Sequence, residues 1–450
     1  MGTEAKGKKA RVLSGMRPTG RLHIGHYFGA LQNWARLQND PAYECFYFIA
    51  DWHALTSDYA DTYYIARNVI EIATDYLASG LDPNKCVIFQ QSLVPEHAEL
   101  HLLLSMVTPL GELEREPTYK EALENIKDKD LHMYGFLGYP VLQCADIVMY
   151  SHPGVALFVP VGEDQVSHIE LSRQIAHRFN FFNGFEARSD LYQPKNLETY
   201  LRIASKLDEE TQGTKALLAS LASRREWINP EDHDLPLLGF PVSESDLFQS
   251  ETHRLAMRIG FDNFKKRMGE DARFFEGHEL LTEPGVMLTK TPRVPGLDGR
   301  KMSKSYGNTI TLSESDADIR AKTKVMVTDP ARKRRTDPGN PDVCPVYDWH
   351  KLFSTKETLD WAAHGCSTAG IGCIECKAKM ADHLIEWIAP VRECRVEFER
   401  HPARVLEVID EGSKRAREVA QGTMERVREA VFGWEKRRKE IAAATGTAKA

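Results

Sequence analysis

Two histidines three residues apart lie near the start of the chain, in the histidine segment Pro18-Thr-Gly-Arg-Leu-His-Ile-Gly-His26. Glycine lets the backbone approach a bulky anion, and the free N–H groups at the start of a helix favour negative charge. At this spacing His23 and His26 can lie on one helix face above such an anion. The histidine segment therefore predicts a phosphate site; a tight turn with two surface histidines is the alternative.

A second group of polar residues, the lysine segment Lys301-Met-Ser-Lys-Ser305, lies in a loop rich in glycine, proline and lysine. Such a loop is predicted to be exposed and mobile, so that its two lysines and two serines can close over phosphates. This arrangement suits attack at an α-phosphate with loss of pyrophosphate, which needs positioning and electrostatic stabilisation more than a covalent nucleophile. A solvated loop is the alternative.

Apolar runs alternate with helical patterns over the first 185 residues, and this alternation predicts the scaffold. The short runs at 11–15, 45–50, 86–90 and 157–161 predict buried strands. Strands that alternate with helices indicate a parallel sheet with right-handed crossovers. We therefore predict an α/β fold with a Rossmann-like catalytic sheet, whose ligands bind at the carboxyl ends of the strands.

A chain of 450 residues is too long for one compact core. The charged stretch 186–278 lacks the strand–helix rhythm, which predicts a mostly helical insertion whose role the sequence does not indicate. From Ser313 onward the pattern is helical nearly to the end. The predicted parts are a disordered tail (1–10), a Rossmann-like catalytic domain (11–185), the insertion (186–278), a return to the catalytic domain with the lysine segment (279–312), an all-helical C-terminal domain (313–440) and a tail (441–450).

The composition is that of an ordinary globular protein, with 42% hydrophobic and 27% charged residues. The basic first ten residues lack the apolar stretch of a signal peptide, and no run reaches the ~18 apolar residues of a membrane span. We therefore predict a cytoplasmic protein without a membrane partner. A net charge of −7 argues against general nucleic-acid binding, but a local basic surface is sufficient for a polyanion.

Four cysteines, here called the cysteine group, lie close together in the last quarter of the chain: Cys344, Cys366, Cys373 and Cys376. Without a secretory signal, this grouping favours a metal site over disulfides. The last pair alone resembles a zinc knuckle, whereas four irregularly spaced thiolates suit a [4Fe–4S] cluster. Zn²⁺ and four unconnected buried thiols are the alternatives. Cys394 falls outside the pattern and is predicted to be a core thiol.

The histidine and lysine segments together resemble a known family. His23-Ile-Gly-His26 and Lys301-Met-Ser-Lys-Ser305 match the two signatures of class I aminoacyl-tRNA synthetases without substitution. Further stretches resemble the bacterial tryptophanyl-tRNA synthetases, over roughly 11–185 and 285–435. These stretches are Ser14–Gly20, Ala50–Thr56, Gly111–Arg115, Tyr139–Ile147 and Val159–Gln165. The resemblance implies a ligase that makes an aminoacyl-adenylate from MgATP and then charges tRNA(Trp).

The resemblance also implies which residues bind ATP, and it assigns them in three sets. The first set contacts ATP and comprises Arg17, Pro18, Thr19, Gly25 and His26. The second holds the adenosine end and comprises Gly162, Glu163 and Asp164. The third holds the phosphates and comprises Lys301, Met302, Ser303, Lys304 and Ser305. Stabilisation of the pentavalent phosphate is implied for His23, His26, Lys301 and Lys304.

For the amino acid, the resemblance implies that Asp146 accepts the indole N–H of L-tryptophan. That agrees with the chemistry, because the indole nitrogen is only a donor and a carboxylate is its natural buried partner. The rest of the implied pocket is Tyr139, Gln143, His53, Val159, Val161 and Gln165. The alternative is that Tyr139 and Asp146, seven residues apart, share a helix face for packing and capping.

Other functions stay open at this point. Some family members have methionine where this chain has Gln143, and tyrosyl-tRNA synthetases use a Tyr…Gln…Asp set with the same spacing. The stretches Ala50–His53 and Gly162–Gln165 favour tryptophan. More distant alternatives are a small-molecule adenylyltransferase, which would lack the lysine segment, and a non-catalytic RNA-binding paralogue, which would have lost signature residues.

The C-terminal region resembles one subgroup of these synthetases through Thr328–Arg332, Asp337–Pro341 and the cysteines that follow. That subgroup carries a [4Fe–4S] cluster beside its anticodon-binding surface. The basic run Arg332, Lys333, Arg334 and Arg335 lies next to the cysteine group, and the resemblance implies that it contacts tRNA phosphates. An ordinary solvated charged face is the alternative. Family members are homodimers, so we expect a homodimer.

Overall fold

The computed structural model describes residues 8–125, 131–223, 227–237, 240–289 and 294–445. Its strands are β1 Ala10–Met16, β2 Tyr43–Ile49, β3 Cys86–Gln90, β4 Leu157–Val161, β5 Phe185–Ala187, β6 Asp234–Leu237, β7 Phe240–Ser243, β8 Phe275–Gly277 and β9 Gly285–Leu288. The helices of the first half are α1 Ile24–His26, α2 Gln32–Leu37, α3 Asp51–Asp58, α4 Ile65–Ala78, α5 Glu96–Ser105, α6 Leu110–Leu113, α7 Pro117–Asn125, α8 Tyr134–Leu137, α9 Tyr139–Val148, α10 Val166–Gly184, α11 Leu197–Ala204 and α12 Gln212–Ala222.

The second half is mainly helical. Its α-helices are α13 Glu244–Ile259, α14 Phe261–Met268, α15 Asp316–Lys324, α16 Pro345–Phe353, α17 Lys356–Ser367, α18 Cys373–Arg400, α19 Pro402–Phe432 and α20 Trp434–Thr445. A π-helical turn, Tyr27–Leu31, joins α1 to α2. Short 3₁₀ turns span Gln91–Leu93, Glu163–Gln165, Ser189–Tyr192, Pro194–Asn196, Gly269–Phe274, Lys304–Tyr306 and Pro341–Val343.

Five parallel strands form the main sheet in the order β3-β2-β1-β4-β9. Val12 of β1 lies opposite Cys45 of β2 on one side and Phe158 of β4 on the other. Strand order reverses at β1, so the crevice at the carboxyl ends of β1 and β4 is where such sheets bind ligands. The prediction of a parallel α/β sheet followed by a helical C-terminal region is confirmed.

The strands are apolar because the sheet is covered on both faces. Trp34 of α2 stacks on Tyr47 of β2 with ring centroids 4.6 Å apart, and the Tyr47 hydroxyl donates to the Trp34 carbonyl. Cys45 and Cys86 are buried in this core, as predicted from their apolar surroundings. The prediction for Cys394 is wrong: this residue is exposed on α18, because α18 packs through its other face.

The chain divides into two compact units, one made of the described parts of Met1–Arg173 with Thr282–Met424 and the other of Gln174–Leu281 with Glu425–Ala450. The second unit has its own aromatic core, in which Phe185 stacks on Phe275. It also contains two antiparallel strand pairs, β5–β8 and β6–β7. The prediction for 186–278 was a mostly helical insertion, and it did not include these strands, because strands of three or four residues leave too short a pattern to read.

Both predicted tails are shorter than expected. Ala10 already belongs to β1, and helix α20 continues to Thr445, whereas residues 1–7 and 446–450 lie outside the described part. No helix in the described part of the chain is both long and apolar enough to span a membrane.

Candidate active site

The predicted site residues follow strands whose carboxyl ends share one edge of the sheet. The histidine segment follows β1, the 3₁₀ turn Glu163–Gln165 follows β4, and the turn Gln91–Leu93 follows β3. Topology therefore collects at this edge segments that are far apart in the chain.

The two histidines lie against each other at the start of α1. Their ring centroids are 3.7 Å apart, and the His23 backbone N–H donates to His26 Nδ1 at 3.2 Å. This bond leaves the proton of a neutral His26 ring on Nε2, so His26 presents an N–H donor. Burial, followed by the charge of Lys304, lowers the pKa of His23 to about 4. Burial also lowers the pKa of His26 well below its usual range, so both rings are neutral at pH 7.

The lysine segment packs directly on the histidine segment. A Cβ atom at Gly25 would lie 3.0 Å from two ring atoms of His23 and 3.5 Å from the Met302 sulfur, so only glycine fits without displacement. Just beyond the lysine segment, the Ile24 N–H donates to the Ile310 carbonyl, and the Leu312 N–H donates to the Leu22 carbonyl. Backbone pairing therefore joins the histidine segment to the residues that follow the lysine segment.

Lys304 makes the most direct connection between the two segments. Its Nζ atom donates to the Gly20 carbonyl at 2.7 Å and to the Thr19 carbonyl at 3.2 Å, and it lies 3.4 Å from the Thr19 hydroxyl. Burial lowers the pKa of Lys304 to about 8, against the opposing effect of the negative charge of Asp75. A cation thus lies over the loop that was predicted to bind ATP.

The lysine segment is less exposed than predicted. Lys301 is exposed, but Met302 is buried, and Ser303 and Lys304 are half-buried. The buried side chain of Asn308, which we did not predict, orders the segment: it accepts from the Ser303 N–H at 2.8 Å and donates to the Lys301 carbonyl at 3.1 Å. The side chain of Ser305 lies outside the described part of the structure.

Asp146 is fully buried on α9, and three side chains donate to its carboxylate. His53 Nε2 lies 2.9 Å from one oxygen, His97 Nδ1 lies 2.6 Å from the other, and the Gln91 amide lies 2.8 Å from both. Burial alone would raise the pKa of Asp146, but the bonds from His53 and His97 lower it to about 2. The predicted selector is therefore an ionised carboxylate with several internal partners.

Sequence reasoning found His53 and Asp146 but missed Gln91, His97 and Tyr150. His97 is also fully buried, and its Nε2 atom lies 3.0 Å from the Tyr150 hydroxyl. The sequence did contain a signal for Gln91 and His97, because the stretch from Gln91 to His97 directly follows the apolar strand β3. Polar residues at the carboxyl end of a parallel strand are candidates for a site.

Tyr139, at the start of α9, is half-buried, and its hydroxyl lies 2.7 Å from the Thr118 hydroxyl. Thr118 in turn contacts the buried ring of His168 at 2.9 Å. The remaining predicted pocket residues differ in exposure: Val159 is buried, and Gln143, Val161 and Gln165 are half-buried.

The residues predicted for the two ends of ATP also vary in exposure. Arg17, Thr19 and Glu163 are exposed, Pro18 is buried and Gly162 is half-buried. The side chain of Asp164 lies outside the described part of the structure.

The cysteine group is brought together by α16, α17 and α18. Burial is the main cause that raises the pKa of Cys376 to about 12, and the charges of Cys344, Cys366 and Cys373 add to it. Tetrahedral zinc bonds of ~2.3 Å place sulfurs about 3.8 Å apart. No three of these four described sulfurs lie within 4.8 Å of one another, so the group does not form a closed zinc site.

Within the basic run, the prediction for Arg332 is corrected. Its side chain is buried: Nη2 donates to the Ile371 carbonyl at 2.6 Å, and Nη1 lies 3.7 Å from the Cys366 sulfur. Lys333, Arg334 and Arg335 are exposed. Arg332 therefore faces the cysteine group, and the other three cations are accessible to a polyanion.

Comparison with known proteins agrees with this geometry. The family model of class I tRNA synthetases for tryptophan and tyrosine matches residues 5–215 and 259–388. The chain therefore belongs to the class I aminoacyl-tRNA synthetases of the tryptophan and tyrosine family. It is 45% identical to the tryptophan–tRNA ligase of Ralstonia nicotianae, over 94% of this chain and 98% of that one. It is 40% identical to the enzyme of Thermotoga maritima, with the same two coverages.

Within the family, the chain is thus grouped with the bacterial tryptophan–tRNA ligases. A solved structure agrees with this grouping. Tryptophanyl-tRNA synthetase from Campylobacter jejuni, described as complexed with ADP and tryptophan, is 26% identical to this chain, with a TM-score of 0.65. The alignment covers 94% of this chain and 99% of that one.

Proposed function

We propose that the site joins L-tryptophan to ATP, releases pyrophosphate and then transfers the tryptophanyl group to tRNA(Trp). This proposal is carried by the contact between the histidine and lysine segments, with Lys304 Nζ 2.7 Å from the Gly20 carbonyl. A cation and two imidazoles beside one glycine-containing turn suit a substrate that carries several phosphates. The bacterial tryptophan–tRNA ligases to which the chain is similar carry out this reaction.

In this proposal, the carboxylate of tryptophan attacks the α-phosphate of MgATP and pyrophosphate leaves. The Nε2–H group of His26 donates a hydrogen bond to a phosphate oxygen as negative charge develops there, and His23 helps to stabilise the same phosphate. Lys301 and Lys304 stabilise the negative charge of the departing pyrophosphate. Mg²⁺ would be held mainly by the phosphates, as is usual in such sites. Because both imidazoles are neutral, they act as hydrogen-bond donors without adding net charge.

Asp146 would select the amino acid by accepting the indole N–H. Three donor nitrogens already engage this carboxylate, and that of Gln91 is shared between both oxygens, whereas the two oxygens offer about four acceptor positions. A pocket built around a polar partner rejects analogues without that group far better than an apolar pocket does. Tyr139, Gln143 and Gln165 would contact the polar end of the amino acid.

The test is ATP–pyrophosphate exchange in the presence of single amino acids. We expect exchange with tryptophan and none above background with tyrosine. Exchange stimulated by tyrosine alone would replace the proposal with a tyrosine enzyme, and exchange that needs a phosphorylated small molecule would indicate an adenylyltransferase. No exchange at all with intact tRNA binding would indicate a non-catalytic paralogue.

We further propose that the cysteine group holds a [4Fe–4S] cluster. The charges of Cys344, Cys366 and Cys373 act on Cys376, which supports their proximity, and four thiolates are the ligand set of such a cluster. When bound, the cluster would cross-link three helices and could exchange an electron. We expect about four iron and four sulfide ions per chain, lost in Cys376→Ser but kept in Cys394→Ser. A colourless protein that contains zinc would contradict this proposal.

We propose that Lys333, Arg334 and Arg335 contact tRNA phosphates. Their exposure beside the cysteine group supports this role, and the burial of Arg332 removes it from the set. Replacing Arg334 by Ala should lower tRNA affinity and reduce the slope of log affinity against log salt by about 1. Exchange without tRNA should be unchanged; an unchanged salt slope would contradict the assignment.

We also propose a homodimer. Apolar side chains are exposed on α5, directly after it, on α6 and on α8, whereas the opposite face of α5 packs on α9. These side chains are Leu102 (54% exposed), Met106 (73%), Leu110 (59%) and Tyr134 (72%). A patch of this kind favours a protein contact. Light scattering should give twice the chain mass for the wild type and the chain mass for Met106→Glu; a wild-type monomer would contradict the proposal.

A further inference from the structure

A buried ion network lies beside the histidine segment and has no role in the chemistry proposed above. Its centre is Arg395 on α18, which is 2% exposed and donates to three carboxylates. Two of them, Glu71 and Asp75, lie on α4. The third is Glu399, whose Oε1 atom lies 3.0 Å from Arg395 Nε. An arginine is almost never buried to this extent unless it is paired.

Asp75 connects this network to the histidine segment. It is fully buried, and its Oδ2 atom accepts the backbone N–H of Leu22 at 2.7 Å. Leu22 directly precedes His23, and its carbonyl accepts the N–H of Leu312 at 2.9 Å. Asp75 therefore holds the point at which the chain enters the histidine turn and pairs with the segment that follows the lysines.

The outer part of the network reaches the same two segments. Arg21 Nε lies 3.0 Å from Glu71 Oε2, and Arg21 Nη1 donates to the Ser313 hydroxyl at 3.1 Å. The charge of Asp75 also acts on Lys304. One buried arginine thus neutralises the carboxylates that hold the residues before His23 and after the lysine segment.

We propose that Arg395 is a positioning residue for adenylate formation: its pairing with Asp75 aims that carboxylate at the Leu22 N–H and so fixes the histidine turn against the lysine segment. This inference rests on the proposed function, because it concerns the same site. Without Arg395, Asp75 would be a buried charge that lacks its main partner. Asp75 would then take up a proton or draw in water, and the turn would shift.

The test uses Arg395→Met, with tryptophan-dependent exchange, tryptophan affinity and the thermal midpoint measured in parallel. We expect kcat to fall about 100-fold, because displacement of a catalytic turn by about 1 Å has that effect. Tryptophan affinity should stay within about twofold, because the Asp146 pocket lies outside the network. Arg395→Lys keeps the cation and should recover part of the loss, although lysine lacks the planar fork that reaches several carboxylates. Arg400→Met, at an exposed arginine of the same helix, is the matched control and should match the wild type.

A second variant keeps the test decisive if Arg395→Met does not fold. Arg395→Met combined with Asp75→Asn removes the fully buried unpaired charge, so its thermal midpoint should stay near the wild-type value while kcat stays low. Wild-type kcat in either the single or the double variant would overturn the inference. Equal losses of tryptophan affinity and exchange would also overturn it, because they would indicate a merely structural role. If the wild-type enzyme showed no tryptophan-dependent exchange, the proposed function would be overturned instead.

Discussion

The two halves of the site are assembled in opposite ways. In the ATP half, Lys304 meets Gly20 across 284 residues of sequence, and the histidines beside them are neutral. In the amino-acid half, Asp146 meets His53 across 93 residues and stays ionised although it is fully buried. One half depends on the meeting of two distant segments, and the other on the hydrogen bonds that three side chains donate to one buried carboxylate.

The difference shows how burial affects the pKa of cationic and of anionic groups. Burial penalises the charged form everywhere, so it lowers the pKa of both histidines and of Lys304. Asp146 keeps its charge because the hydrogen bonds and charges of His53 and His97 more than compensate for burial. In the proposed function, the ATP half would therefore accept a ligand that brings its own charge, whereas the amino-acid half would present a fixed charge to a neutral indole.

The largest effect is expected for Asp146→Asn, which replaces an acceptor by a group that also donates. The amide would face the donors of His97 and Gln91, and the indole N–H would lose its partner. We expect kcat/KM for tryptophan to fall by about 10⁴-fold, as in pockets that lose a buried polar partner. Asp271→Asn, at a buried carboxylate paired with Arg202 and Lys206, should leave kcat/KM near the wild-type value. A fall of less than tenfold in Asp146→Asn would show that the carboxylate does not select tryptophan.

The next effect isolates the ATP half. His26→Ala removes an N–H donor that acts on developing charge, so exchange kcat should fall by about 10²–10³-fold. Equilibrium dialysis should show tryptophan affinity within about twofold of wild type, because His26 lies outside the Asp146 network. His401→Ala, at a histidine whose side chain is 55% exposed, serves as the control. If His26→Ala lowered tryptophan affinity as much as exchange, the ATP half and the amino-acid half would not act independently.

A smaller effect is expected from pH. The pKa of Lys304 is lowered to about 8, so its ammonium is populated below pH 8 and is lost as the pH rises through that value. In the free enzyme, kcat/KM for ATP should therefore decline about tenfold per pH unit above 8. Lys304→Arg keeps its charge and should remove this decline. A wild-type profile that stays flat to pH 9.5 would show that the charge of Lys304 is not required.

The smallest effect is expected for Thr19→Ala. The Thr19 hydroxyl lies 3.4 Å from Lys304 Nζ, whereas the backbone carbonyls of Thr19 and Gly20 lie closer, at 3.2 and 2.7 Å. Removing the hydroxyl therefore leaves the main contacts, and kcat/KM for ATP should change less than about threefold. A tenfold loss would mean that the hydroxyl contacts ATP itself, so that the loop containing Thr19 would bind ATP through this side chain.

Local patterns predicted the parts of the molecule that depend on neighbours in sequence. The strands Val12–Gly15 and Cys86–Gln90 are visible as apolar runs because the sheet is buried on both faces. Two residues whose role depends on distant or folded surroundings, His97 and Asn308, were not predicted. His97 looks like any histidine in a helix until α5 packs on α9, and Asn308 looks like a loop residue until the lysine segment folds around it.

The basic run shows that residues predicted from charge are subject to the same limit. Arg332 and Arg334 are equivalent by charge and are two residues apart in the sequence, yet one is buried and the other is exposed. The distinction comes from the carbonyl of Ile371 and the sulfur of Cys366, which the chain supplies more than thirty residues later. Charge alone cannot distinguish an arginine that contacts a polyanion from one that packs against a sulfur.

The pairing of Asp75 with Arg395 also sets an order of events during synthesis. These residues are 320 positions apart, and ribosomes add about 5–20 residues per second, so about 16–64 s separate their appearance. During most of that interval β1, β2 and β3 are present while Leu22 has no Leu312 to pair with, and Asp75 lacks Arg395 throughout it. The nascent N-terminal part of the chain therefore gains first the Leu312 partner of Leu22 and only later, when α18 has been made, the arginine that pairs with Asp75.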